Sequence, residues 1–189
     1  MEKLFDKISE LLAEKGRLIV GIDGPCASGK TTLAKAIAEK FGCDVIHADD
    51  FFLRPEQRCP ERLEEVGGNL DRERLWDEVL SPLIRWDEFS YRPYLCSTGE
   101  LGDPVFVPQK DLYVIEGSYC QHPAFGKAMY GLRVFVDISP EKQLERLKER
   151  NPEKLERFVN EWIPMENRYF ETYCIRQRAD LIVNMEKED

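Results

Sequence analysis

A chain of 189 residues is the size of one domain, and folding can hide roughly two-thirds of the surface that the extended chain exposes, so a full apolar core is within reach. Asp and Glu number 36 against 27 Lys and Arg, a formal net charge of -9. That balance argues against a nucleic acid or an anionic membrane as the main partner, and any polyanion the chain binds must be met by a local positive site.

The six cysteines, at 26, 43, 59, 96, 120 and 174, form no CxxC pair, and the two histidines add no zinc-type spacing. Neither a disulfide framework nor a structural zinc is expected. No apolar run approaches membrane-spanning length, and a reduced, cytoplasmic setting is the expectation.

Residues 1–15 place Leu4, Ile8, Leu11 and Leu12 on one helical face with acidic residues between them, unlike the uninterrupted apolar segment of a signal peptide. Short apolar runs rich in β-branched residues follow at 17–23, 43–47, 111–117, 132–139 and 179–184, and read as buried parallel strands. Helical patterns lie between them at about 30–41, 71–85, 140–150 and 155–174. The alternation predicts an α/β fold, with helices on both faces of a five-stranded, mainly parallel sheet. Two stretches break it. Residues 51–70 carry the turn-prone Gly67-Gly68-Asn69, and 86–110 are interrupted by Pro93, Gly99, Gly102, Pro104 and Pro108. Loops this long inside a compact domain are usually functional. No repeat or linker divides the chain, which reads as a single domain over 1–189.

Between the first strand and the first long helix pattern stands Gly24-Pro25-Cys26-Ala27-Ser28-Gly29-Lys30-Thr31, a full match to GxxxxGK(S/T) in the strand-then-helix setting that the motif requires. The physics is anion capture. Glycines let main-chain N–H groups curl around phosphate oxygens, the starting helix points its positive end at them, Lys30 reaches the β and γ phosphates, and the Thr31 hydroxyl can ligate Mg²⁺. Thr32, next in line, joins the same nucleotide-binding set.

A bound triphosphate also needs carboxylates, for a metal ion and to activate a nucleophile, at the C-terminal ends of neighbouring strands. Asp49 and Asp50 follow the strand at 43–47, and Glu116 ends the run DLYVIE. Asp50 reads better as a turn or helix-cap residue.

At these residues the chain resembles the uridine kinase branch of the phosphoribulokinase and uridine kinase family of P-loop kinases. The resemblance rests on GIDGPCASGKTTLA, on HADDFF after the second strand, on NLDRERL at 69–75, on VIEGSY at 114–119 and on ADLIV near the end, and spans about 17–184. It implies the P-loop kinase fold, with ATP or GTP and Mg²⁺ as cofactors and a small hydroxyl compound as acceptor. It also implies that Asp49 takes the proton of a nucleoside 5′-hydroxyl, that Thr31, Asp49 and Glu116 hold the metal, and that Asp71 bonds ribose hydroxyls. Asp71 serves equally well as the N-cap of the helix after it. In related kinases lid arginines near 146–160 close over the phosphates; Arg146, Arg150 and Arg157 are available, and Arg150 is the one expected to act. This lid is short and lacks the family's Gly-Arg element.

The acceptor pocket is expected from the 86–110 insertion and the aromatics after Asp50: Phe52, Tyr91, Arg92 and Cys96, with Phe51 and Tyr94 as further stacking or core residues. YRPYLCSTGE aligns with the family segment that reads the pyrimidine, yet Cys96 stands where a histidine is common, and Arg92 suits an anionic acceptor. His47 reads as a core residue, His122 has no identified partner, and Cys26 is given no chemistry. The expectation is therefore a kinase transferring a γ-phosphate to a nucleoside. A kinase of another metabolite, such as pantothenate or a sugar phosphate, and a non-kinase nucleotide switch are the alternatives. A homo-oligomer stays open.

Overall fold

The structure, a computed structural model, describes residues 1–185. In chain order the first half contains α1 (Glu2–Lys15), β1 (Leu18–Asp23), α2 (Lys30–Phe41), β2 (Asp44–His47), the short α3 (Pro60–Glu64), α4 (Arg72–Leu75) and α5 (Ser81–Arg85). Four short strands follow, β3 (Phe89–Tyr91), β4 (Tyr94–Leu95), β5 (Glu100–Leu101) and β6 (Val105–Val107). The remainder is β7 (Leu112–Glu116), β8 (Leu132–Asp137), α6 (Pro140–Arg150), α7 (Leu155–Arg157), α8 (Ile163–Thr172) and β9 (Leu181–Asn184).

The main sheet has the order β2-β7-β1-β8-β9, with every neighbouring pair parallel. Alternate residues feed two cores. Leu18, Val20, Ile22, Val114 and Val134 pack with Leu4, Ile8 and Leu11 of α1 and Leu33 and Ile37 of α2. On the opposite face Ile19, Tyr113, Ile115 and Phe135 meet Leu75, Leu80 and Leu83, together with Tyr169 and Phe170 of α8. β1 and β7 are buried at every position, as central strands covered on both faces must be. The register sets Ile22 and His47 on either side of Glu116, so the strands deliver their C-terminal residues to one edge.

The helices expected at 71–85 and 155–174 each contain a wider, π-type turn, at Trp76–Leu80 and Phe158–Trp162. Prolines account for both. Pro82 and Pro164 have no N–H to donate, and their rings crowd the carbonyl four residues back. The amides just before them reach one residue further, Ser81 N–H to Trp76 O and Ile163 N–H to Phe158 O.

The two irregular stretches fold onto the C-terminal edge of the sheet. In the first, Phe52 bridges Leu70 and Asp71 N–H donates to Phe51 O at 2.7 Å, which lays 51–53 beside 69–71. In the second, β3 pairs with β6 and β4 with β5, both antiparallel. Arg74 joins them: its guanidinium lies 4.2 Å from the Phe51 ring centre and donates to Asp50 O and Arg92 O. Among the described residues no helix is long and apolar enough to cross a membrane.

Candidate active site

β1 ends on Asp23, and the chain turns at once. Gly24 adopts φ +146°, and a Cβ there would stand 2.4 Å from Val136 O, so only glycine fits. Ala27 also takes a left-handed conformation, φ 61°, uncommon for a residue with a side chain. Lys30 begins α2 and is 8% exposed. Its ammonium donates to Gly24 O at 2.7 Å and Pro25 O at 2.9 Å, and Ser118 Oγ is 3.4 Å away. The motif residues Gly24 to Thr31 form one loop around the start of α2, with Thr31 and Thr32 in its first turn.

Glu116, 4% exposed at the end of β7, takes two donors on one oxygen: Thr31 Oγ1–H at 3.0 Å and His47 Nδ1–H at 2.6 Å. The Glu116 hydrogen bond is the main cause of a raised His47 pKa, against desolvation, with the charges of Glu116, Asp50 and Asp49 adding to it. His47 thus faces the site, a correction to its reading as a core residue, because β2 ends level with Glu116.

Asp49 lies in the turn Ala48–Phe51 that leaves β2. Solvent reaches its side chain, yet protein atoms crowd it. Desolvation pushes its pKa up to about 6, opposed by Lys30 and reinforced by Glu116 and Glu166. The accessible surface decides that a solute can reach it, and the crowding decides its proton affinity. Asp23, fully buried, is likewise raised to about 6 by desolvation, although it accepts Gly24 N–H at 2.8 Å, Gln121 N–H at 3.1 Å and Tyr169 O–H at 2.8 Å.

The oxygens of Thr31, Glu116 and Asp49 are a hard donor set that suits Mg²⁺. Among the described residues no three His, Cys, Asp or Glu side chains converge to hold a metal alone.

The residues expected around an acceptor are only partly gathered. Phe52 is half-buried and Cys96 exposed, with the Asp49 charge acting on its thiol. Tyr91 is buried against Phe51, ring centres 5.3 Å apart, and its hydroxyl donates to Asp50 Oδ2 at 3.1 Å. Asp71 is 3% exposed: Oδ1 caps α4 by accepting Arg74 N–H at 3.0 Å, and Oδ2 accepts Gln57 Nε2–H at 2.7 Å. Arg92 fastens its own hairpin, donating to Leu101 O and Gly102 O. Arg150 is exposed and donates to Asn151 Oδ1, while Arg157 pairs with Glu161. Arg146 is the lid arginine that reaches the loop, donating to Ala27 O at 3.1 Å and Ser28 O at 3.2 Å.

Three further residues reach the loop: Gln143 and Glu166 carried no motif signal, and Ser118 lies within VIEGSY with no role assigned to it. Gln143 Nε2–H donates to Cys26 O at 3.0 Å, Ser118 Oγ lies 3.3 Å from Gly24 O, and Glu166 accepts Cys26 N–H at 2.9 Å. His122 packs between Phe125 and the Tyr169–Tyr173 pair, accepting Ala124 N–H on Nδ1, so it has partners after all. Burial and Arg72 push its pKa down to about 4.

A family model described as an AAA domain matches residues 20–173. The uridine kinase of Geobacillus kaustophilus (strain HTA426) is 25% identical over 185 residues, covering 89% of this chain and 86% of that protein. A possible uridine kinase from Bacillus stearothermophilus superposes with a TM-score of 0.69 at 24% identity, over 96% of this chain and 100% of that one. A shikimate kinase from Acinetobacter baumannii, in complex with shikimate, gives a TM-score of 0.51 at 18% identity, over 94% of this chain and 89% of that one. The chain therefore belongs to the AAA-domain family, with the fold of a P-loop kinase and a sequence similar to uridine kinases over most of its length.

Proposed function

We propose that this protein is a kinase that moves the γ-phosphoryl group of ATP or GTP to a hydroxyl of a small acceptor, the 5′-hydroxyl of a nucleoside being the leading candidate. The observation that carries the reading is the convergence at the C-terminal edge of the sheet of a solvent-reachable carboxylate, Asp49, on which the charges of Lys30 and Glu116 act, and of Glu116 hydrogen-bonded to Thr31 of the loop. Similarity to uridine kinases supports the nucleoside as acceptor.

In this reading loop amides and Lys30 grip the triphosphate, with the ammonium leaving Gly24 O and Pro25 O for phosphate oxygens. A bound Mg²⁺, held by Thr31, Asp49 and Glu116, would neutralise charge on the phosphate oxygens. Asp49 accepts the acceptor's proton as the acceptor oxygen bonds to the γ-phosphorus. The bond to the β,γ-bridging oxygen breaks, and the nucleoside diphosphate leaves with the electron pair. Positioning supplies most of the acceleration.

A kinase of another metabolite, such as pantothenate or a sugar phosphate, is the alternative within the same fold. Following ATP consumption across nucleosides and phosphorylated sugars, with the native protein and Asp49→Asn, tests both. Turnover with a nucleoside, lost in Asp49→Asn while ATP still binds, is the expected result. Transfer of labelled phosphate to water alone would instead favour a nucleotide switch.

A further inference from the structure

Glu166 is 5% exposed on α8, and burying a carboxylate next to a site for polyanions is costly unless something compensates it. Its two oxygens divide two donors: Oε2 takes Cys26 N–H at 2.9 Å and Oε1 takes Ser118 Oγ–H at 2.6 Å. Ser118 Oγ in turn lies 3.4 Å from Lys30 Nζ. On the other side of the same residue Gln143 donates to Cys26 O at 3.0 Å, and Arg146 donates to the carbonyls of Ala27 and Ser28. The polar main-chain groups of Cys26 are therefore held from α8 and α6 immediately before Ala27, whose left-handed φ of 61° needs such support to persist.

We propose that Glu166 is a positioning residue for nucleotide binding. It fixes the first half of the phosphate-binding loop through Cys26 and sets, through Ser118, where the Lys30 ammonium rests. It acts through these groups and touches no reacting atom. This rests on the reading of the loop as a triphosphate site. The carboxylate's shape does the holding: two acceptors on one planar group meet two donors from segments 140 and 48 residues distant. A glutamine keeps the acceptor for Cys26 and can donate to Ser118 Oγ, whereas an alanine loses both.

The test is calorimetric titration of the whole chain with Mg²⁺–ATP, beside steady-state kinetics. Glu166→Ala is expected to raise the ATP dissociation constant about tenfold, the worth of one ordinary hydrogen bond at the upper end of its range. Its KM for ATP rises, with the acceptor KM unchanged. Glu166→Gln is expected to bind ATP as the native chain does, and Ser118→Ala to bind more weakly. Native ATP affinity in Glu166→Ala overturns the inference, as does an equal loss in Glu166→Gln, which would make charge and not geometry the cause. Should Glu166→Ala not fold, Ser118→Ala decides: weaker binding supports the inference and native affinity overturns it. If the native chain and Lys30→Ala alike bind no triphosphate, the functional reading itself falls and takes this one with it.

Discussion

Gly117 and Asp49 touch with no room for a methyl group between them: a Cβ on Gly117 would stand 3.1 Å from Asp49 Oδ1 and 2.9 Å from Ala48 Cβ. Gly117 also holds φ +136°, a conformation that disfavours any side chain. Gly117→Ala is therefore expected to push Asp49 off its position. A shift of a few tenths of an ångström is expected to cost about 10-fold in kcat, less than the roughly 100-fold of a full 1 Å misplacement, while the ATP dissociation constant, set by the loop, stays within about twofold. Stopped-flow turnover and ATP titration on the same preparation separate the two effects. Equal losses in both would place the damage in the fold.

The pKa of Asp49, raised to about 6 by crowding, gives the reaction a pH signature. As the proposed base, Asp49 works only when deprotonated, so kcat/KM, which reports the free enzyme, rises with pH through about 6 and levels above it. The Asp49→Asn protein should lack that rising limb and keep about 10⁻² to 10⁻⁴ of the native rate, the usual contribution of a positioned base. A pH–rate profile with an unshifted limb in Asp49→Asn would assign the limb to another group.

How much of this was legible beforehand depends on sequence distance. The loop from Gly24 to Thr31 is local, and its glycines, lysine and flanking strand lie within a dozen residues, so its place was readable. β1 and β7 were readable because strands buried on both faces carry unbroken apolar runs. Glu166 was not. It reaches Cys26 across 140 residues, and only its place three and four residues before the buried Tyr169 and Phe170, on a face that should be apolar, could have drawn notice. Arg92 misled for a related reason: an arginine in a loop looks free for a ligand until the hairpin carbonyls it ties, nine and ten residues on, are seen. The π-type turns follow from Pro82 and Pro164, but their cost is settled by packing that no local pattern records.

Asp71 caps α4, and the ribose-bonding role proposed for it can be tested apart from the cap. Its Oδ1 caps α4 and its Oδ2 is taken by Gln57. Asp71→Ala should lower stability by about 1–2 kcal/mol through the lost cap and raise the acceptor KM. Gln57→Ala frees Oδ2 without touching the cap, so it should lower the acceptor KM if a ligand hydroxyl competes for that oxygen. Thermal unfolding and acceptor saturation curves on the two variants check this. An acceptor KM unmoved in both would leave Asp71 as a cap alone.

Asp23 ties folding stability to pH with a sign opposite to that of a paired surface carboxylate. Its folded pKa is raised from 3.8 to about 6, so between these values the native chain keeps a proton that the unfolded chain releases. The contribution is fully present below pH 3.8 and is lost as pH rises through 6. Its size is on the order of 2–3 kcal/mol for a group this buried. Asp23→Asn cannot titrate, so the difference in unfolding free energy between native and variant should shift in the variant's favour from pH 4 to pH 7. At pH 4 the variant should be the weaker of the two. Gly24 N–H, Gln121 N–H and Tyr169 O–H all point donors at this side chain, and an amide nitrogen leaves one of them unmet. Denaturant melts of both proteins across that pH range measure the difference, and a gap that does not change with pH would mean Asp23 titrates alike in the folded and unfolded chain.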